Sequence, residues 1–238
     1  MSALLQRLLT ELSDPPAAFP GPSDVTAAGC GRQGAPLLLL GPPGSGKSGL
    51  LFMAAVLAAE EGAGPVIFLS REPLQEVPRG GKAARDPLTL KLIRFVYPPS
   101  LKELLQFFST LHITPLSLSL IVVDGLERYL PSSCSPGDGA LLCALMLDSV
   151  SYLRCGLVVS AVPNPGGSDG AFLAVERYFP SQCHLHHVTS PETEGRQFKI
   201  SFLSPHLQWN LQVEQSGRLR ISSSQGDNLS STEATGNT

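Results

Sequence analysis

The sequence predicts an α/β fold in which a mostly parallel sheet is covered by helices and finished by C-terminal antiparallel strands. Three observations predict it. Short apolar runs alternate with helical patterns between about residues 36 and 161, as strands buried on both faces of a sheet require. A glycine-rich stretch, Gly41 to Ser48, joins the first run to the first helix. After about residue 182 the apolar period falls to two, as in Phe198, Ile200 and Phe202.

Taken in order, residues 3–12 place Leu4, Leu5, Leu8, Leu9 and Leu12 on one face of a short helix ended by Asp14-Pro15-Pro16. Residues 13–34, rich in Pro, Gly, Ala and Ser, read as a flexible tether. Segment 1–34 is therefore expected to stand outside the folded body, its leucine face serving a partner or a second copy. The body is expected over 35–222. Its strands are Pro36 to Leu40, Val66 to Leu69, Leu92 to Tyr97, Leu118 to Val123 and Gly156 to Ala161, with helices at about 47–61, 100–111 and 139–153. Alternation in Trp209, Leu211 and Val213, then Leu219 and Ile221, with turns at Ser204-Pro205 and Ser216-Gly217, predicts a hairpin finish. Residues 223–238 are polar and read as a disordered tail.

Composition narrows the function. Apolar residues make up 42% and charged ones 16%, which fits a packed core and excludes a polyelectrolyte. A net charge of −3 gives the chain no overall basic field, so any nucleic-acid surface must be local. Apolar runs such as Ala140 to Leu147 fall far short of the ~18 residues that span a bilayer, so no membrane partner is expected. Cys30, Cys134, Cys143, Cys155 and Cys183 form an odd set without a CxxC pair, as expected of reduced thiols in the cytosol or nucleus.

Gly41-Pro42-Pro43-Gly44-Ser45-Gly46-Lys47-Ser48 matches G-x-x-x-x-G-K-[ST] in its strand, loop and helix context. Such a loop turns backbone N–H groups onto phosphate oxygens, while Lys47 reaches the β- and γ-phosphates and the Ser48 hydroxyl ligates Mg²⁺. ATP and Mg²⁺ are the expected ligands. The apolar run Ser119-Leu120-Ile121-Val122-Val123 ends in Asp124, the expected second hold on the metal. Hydrolysis further needs a carboxylate to orient water, and two are candidates: Glu72, just past the second strand, and Glu127, three residues after Asp124.

Other features carry two readings each. Arg79, Lys82 and Arg85 lie in a basic segment suited to single-stranded DNA phosphates, or form a solvated face. Cys183-His184-Leu185-His186-His187 fits strand alternation better than a metal site. Phe52, Met53 and Ala55 read as core, with an F-x-x-A partner motif as the rival.

With these residues in view, the chain resembles the RecA-like recombinase paralogues. More narrowly, it resembles the SWIM-domain-protein-associated ATPases of the vertebrate Shu complex, through the P-loop, Pro78-Arg79-Gly80, Tyr97-Pro98-Pro99-Ser100, Asp124-Gly125-Leu126-Glu127 and Arg177-Tyr178-Phe179-Pro180. The resemblance implies a RecA-like P-loop ATPase core with Gly41 to Ser48 as Walker A, Asp124 as Walker B and Glu72 as the catalytic glutamate. It implies single-stranded DNA binding, a zinc SWIM-domain partner, recombinase paralogues as further partners, support of recombinase filaments in homologous recombination and DNA repair, and a nuclear place. Val162-Pro163-Asn164 stands where recombinases carry Gln, so slow hydrolysis is expected. A small-molecule P-loop kinase and a non-hydrolysing interaction subunit are the rival classes.

Overall fold

The computed structural model describes residues 7–9, 12–13, 35–61, 64–75, 87–113, 117–163, 170–188, 195–202, 208–214, 216 and 218–223. Along the chain run β1 (Leu37–Leu40), α1 (Lys47–Glu60), β2 (Val66–Ser70), α2 (Pro87–Lys91), β3 (Ile93–Val96), α3 (Leu101–Thr110) and β4 (Leu120–Asp124). There follow α4 (Pro136–Leu153), β5 (Gly156–Ala161), α5 (Gly170–Tyr178), β6 (Ser181–Val188), β7 (Arg196–Phe202), β8 (Gln208–Val213) and β9 (Leu219–Ser223). The strands form one sheet of order β3-β2-β4-β5-β1-β6-β7-β8-β9. The pairs from β3 to β6 are parallel and those from β6 to β9 antiparallel, the mixed sheet the sequence predicts and one consistent with a RecA-like core.

Each central strand feeds both faces because successive side chains alternate. Leu37 and Leu39 enter one apolar cluster with α1, whereas Leu38 and Leu40 enter another with α3, α4 and α5. This is why β1 reads as four leucines with no polar alternation. Phe52, Met53 and Ala55 are buried in the first cluster, as core residues. Helix α4 begins three residues earlier than the periodicity implies, because Ser135 and Asp138 form a capping box around Pro136 in its first turn. Burial pushes the Cys143 and Cys155 thiols up to about 12. Among the described residues no helix is long and apolar enough to cross a membrane.

The N-terminal segment departs from expectation. Arg7, Leu8 and Leu9 are helical, and Leu8 and Leu9, at 2% and 0% exposure, belong to the same apolar cluster as α1 and as Trp209, Leu211 and Ile221. Every residue of α1 from Leu50 to Ala59 is buried, so that helix needs a cover beyond the sheet. Arg7 pairs with Glu61 at 2.8 Å and Ser13 bridges to Ile221, so both ends of the described turn are tied to the body. Apart from Ser13 and Ser223, the tether expected over 13–34 and the tail expected over 223–238 lie outside the described residues.

Candidate functional site

The parallel strands end together, and a cleft of about 440 Å³ opens at their carboxyl ends. Its wall includes Pro43, Gly44, Gly46, Lys47 and Ser48 from the loop after β1, and Asp124, Glu127 and Arg128 from the turn after β4. Gly44 and Gly46 take φ of +72° and +80°, conformations that side chains rarely adopt. Gly46 caps α1 without a side-chain acceptor, and the first turn holds no acid, so the helix amides and dipole favour an anion there.

Lys47 is buried, and its Nζ donates to the carbonyls of Gly41 at 2.7 Å and Pro42 at 2.8 Å and to Ser45 Oγ at 3.3 Å. Burial lowers its pKa from the ordinary lysine value; Glu127 and Asp124 oppose that shift, and Arg128 adds to it. The lysine thus rests on the rim of its own loop, with the cleft in front of it.

Strand β5 lies between β1 and β4, which sets Asp124 two strands, or roughly 10 Å, from the end of β1. Asp124 is buried and accepts a 2.6 Å hydrogen bond at Oδ1 from Ser160 Oγ, which itself accepts from the Gly125 N–H at 3.0 Å. Ser48 and Asp124 contribute hard oxygen donors to one cleft, as Mg²⁺ beside phosphates requires. The residues present therefore fit a magnesium nucleotide.

The two candidate glutamates part company. Glu127 lines the cleft and accepts from the Val162 N–H at 3.0 Å. Glu72 stands outside the cleft wall, exposed, with Oε2 3.0 Å from Arg128 Nη1, while Arg71 donates to the Arg128 carbonyl at 2.9 Å. Arg79, Lys82 and Arg85 lie outside the described residues.

Ser160, Arg128, Val213 and Leu219 also line the cleft and escape the sequence reading as site residues. Only Ser160 leaves a signal in the sequence, as the lone polar side chain of the apolar strand β5.

A protein from Homo sapiens named ATPase SWSAP1 is 41% identical over 203 residues, covering 79% of this chain and 89% of that protein. The chain belongs to the SWSAP1 family. The mouse SWSAP1, also named an ATPase, is 36% identical over 223 residues, covering 83% of this chain and 79% of its own length. No family model matches the chain. The ATPase in the name of these SWSAP1 relatives accords with the phosphate loop.

Proposed function

We propose that this chain binds ATP·Mg²⁺ in the cleft and hydrolyses it slowly as an accessory factor of homologous recombination. The observation that carries the nucleotide reading is the buried Lys47 on its glycine loop, facing Asp124 across one intervening strand. Bound Mg²⁺ supplies charge neutralisation on the phosphates. Lys47 exchanges the Gly41 and Pro42 carbonyls for phosphate oxygens, Ser48 and Asp124 hold the metal side, and Ser160 fixes the Asp124 rotamer. Of the two glutamates, Glu127 is the one that lines the cleft and so the one in reach of an attacking water; Glu72 must first leave Arg128.

Lys47→Ala should remove the rise in melting temperature that ATP·Mg²⁺ gives the wild type. A mutant that gains as much as wild type sinks the reading. Glu127→Gln should lower turnover about 10²-fold with binding retained, and Glu72→Gln should lower it less. A reversed order returns the role to Glu72, as the family resemblance implies; no turnover in the wild type leaves an interaction subunit.

A nuclear role with a zinc SWIM-domain partner, recombinase paralogues and single-stranded DNA rests on the family resemblance and the basic segment at Arg79, Lys82 and Arg85. Replacing all three by Ala should flatten the slope of log affinity for single-stranded DNA against log salt by about 2, at about 0.7 per phosphate contact. An unchanged slope makes the segment a solvated face.

A further inference from the structure

Strand β6 pairs with β1 as far as Leu40 opposite His184 and then runs on to Val188. At about 3.3 Å per residue that overhang carries the antiparallel strands roughly 13 Å past the end of β1, above the phosphate loop. Strand β7 starts at this raised end with Arg196, which lies opposite Val213 of β8, and Val213 lies opposite Leu219 of β9. Directly paired residues share a sheet face, so the three form one row. The row meets the loop. Val213 Cγ2 and Leu219 Cδ2 stand 3.1 and 3.2 Å from the place a Cβ on Gly46 would take. Arg196 fills the place a Cβ on Gly44 would take, and its Nη1 donates to the Gly44 carbonyl at 3.4 Å.

That bond lies beyond the usual N–H···O range, and Arg196 is exposed and forms no ion pair among the described residues. Without an acid partner among the described residues, this guanidinium lies against a loop built for phosphate. Its position on the sheet also selects which phosphate. Asp124 sits on β4 with β5 between it and β1, whereas Arg196 sits on β7 with β6 between, so the two approach the loop from opposite flanks.

Resting on the nucleotide reading above, we infer that Arg196 is a phosphate-contacting residue of the same site. Its guanidinium passes from the Gly44 carbonyl to the α- and β-phosphate oxygens of a nucleoside di- or triphosphate, on the flank away from Asp124. A charge-assisted, forked contact of this kind is stronger than the neutral carbonyl contact it replaces.

The full chain as wild type, Arg196→Ala, Arg196→Lys and Lys47→Ala should be titrated calorimetrically with ATP·Mg²⁺, ADP·Mg²⁺ and adenosine, and melted without nucleotide. Arg196→Ala should weaken ATP and ADP alike by about tenfold, with Lys restoring part of the loss, since a point charge replaces the fork. Adenosine binding and the nucleotide-free melting temperature should not move. Unchanged ATP and ADP affinities overturn the inference. So does a loss confined to ATP, which puts the residue on the γ flank, or a lowered nucleotide-free melting temperature, which makes it only a packing element. Binding of neither nucleotide by the wild type, or full binding by Lys47→Ala, overturns the site reading itself and this inference with it.

Discussion

Ser160 holds the Asp124 carboxylate through one 2.6 Å bond and takes the Gly125 N–H through another, wholly out of solvent. Ser160→Ala leaves that N–H without its acceptor and Asp124 free to turn, so stability should fall by about 1–3 kcal/mol and the Mg²⁺ needed to saturate ATP binding should rise. Urea melts and a magnesium titration check both; Ser160→Thr should restore the magnesium response. Tyr129 presents the opposite case. Its hydroxyl is buried with no hydrogen-bond partner among the described residues, and burial pushes its pKa up to about 12. Tyr129→Phe keeps the ring and removes the stranded hydroxyl, so it should be neutral or stabilise by up to about 1 kcal/mol. The Lys47 ammonium, held below its ordinary pKa, should weaken the nucleotide-free fold at neutral pH. The unfolded chain binds that proton more tightly, so this cost shrinks as pH rises through the lowered pKa toward 10.5. Melts of wild type and Lys47→Met from neutral to alkaline pH should show the wild type gaining on the variant. At this scale the loop from Gly41 to Ser48 and the strand-ending Asp124 were legible because each is a contiguous pattern. The roles of Ser160 and Arg196 were not, because each comes from strand register across the sheet.

The strands β1, β2, β4 and β5 were legible as apolar runs, since a strand buried on both faces needs nothing but apolar residues, while β3, at the sheet edge with Arg94 exposed, was legible by its Ile93 and Phe95. The N-terminal helix was legible as a helix but not as part of the body. A leucine face reads the same whether it docks on its own chain or on a partner, and the surface that receives it is assembled from α1 and the distant Trp209, Leu211 and Ile221. Leu9→Ala should therefore cost about 2–5 kcal/mol, as for any fully buried leucine, and lower the melting temperature without nucleotide. An unchanged melting temperature would return the helix to the tethered role that its sequence suggests. Arg7→Ala should change little, because the Arg7 to Glu61 pair is largely exposed and such pairs contribute under about 1 kcal/mol.

Across the whole molecule, the first and last described segments of the chain meet, and the last of them lines the cleft. Leu8 and Leu9 share one apolar cluster with Trp209, Leu211, Leu219 and Ile221, and Leu219 and Val213 of the same strands stand over Gly46 of the phosphate loop. A ligand that closes on this wall favours the conformation in which β8 and β9 are seated, which is also the conformation the N-terminal leucines stabilise. Two sites that favour one state must help each other equally, because linkage is reciprocal. Leu8→Ala combined with Leu9→Ala should therefore weaken ATP·Mg²⁺ binding about fivefold, at the low end of usual coupling, although neither leucine lines the cleft. In the wild type, saturating ATP·Mg²⁺ should in turn slow proteolytic cutting within residues 1–34, and Lys47→Ala should abolish that protection. Equal affinities in the two chains, together with nucleotide-independent cutting, would mean that the wall is held by the sheet alone and that the N-terminal helix serves stability without reaching the site.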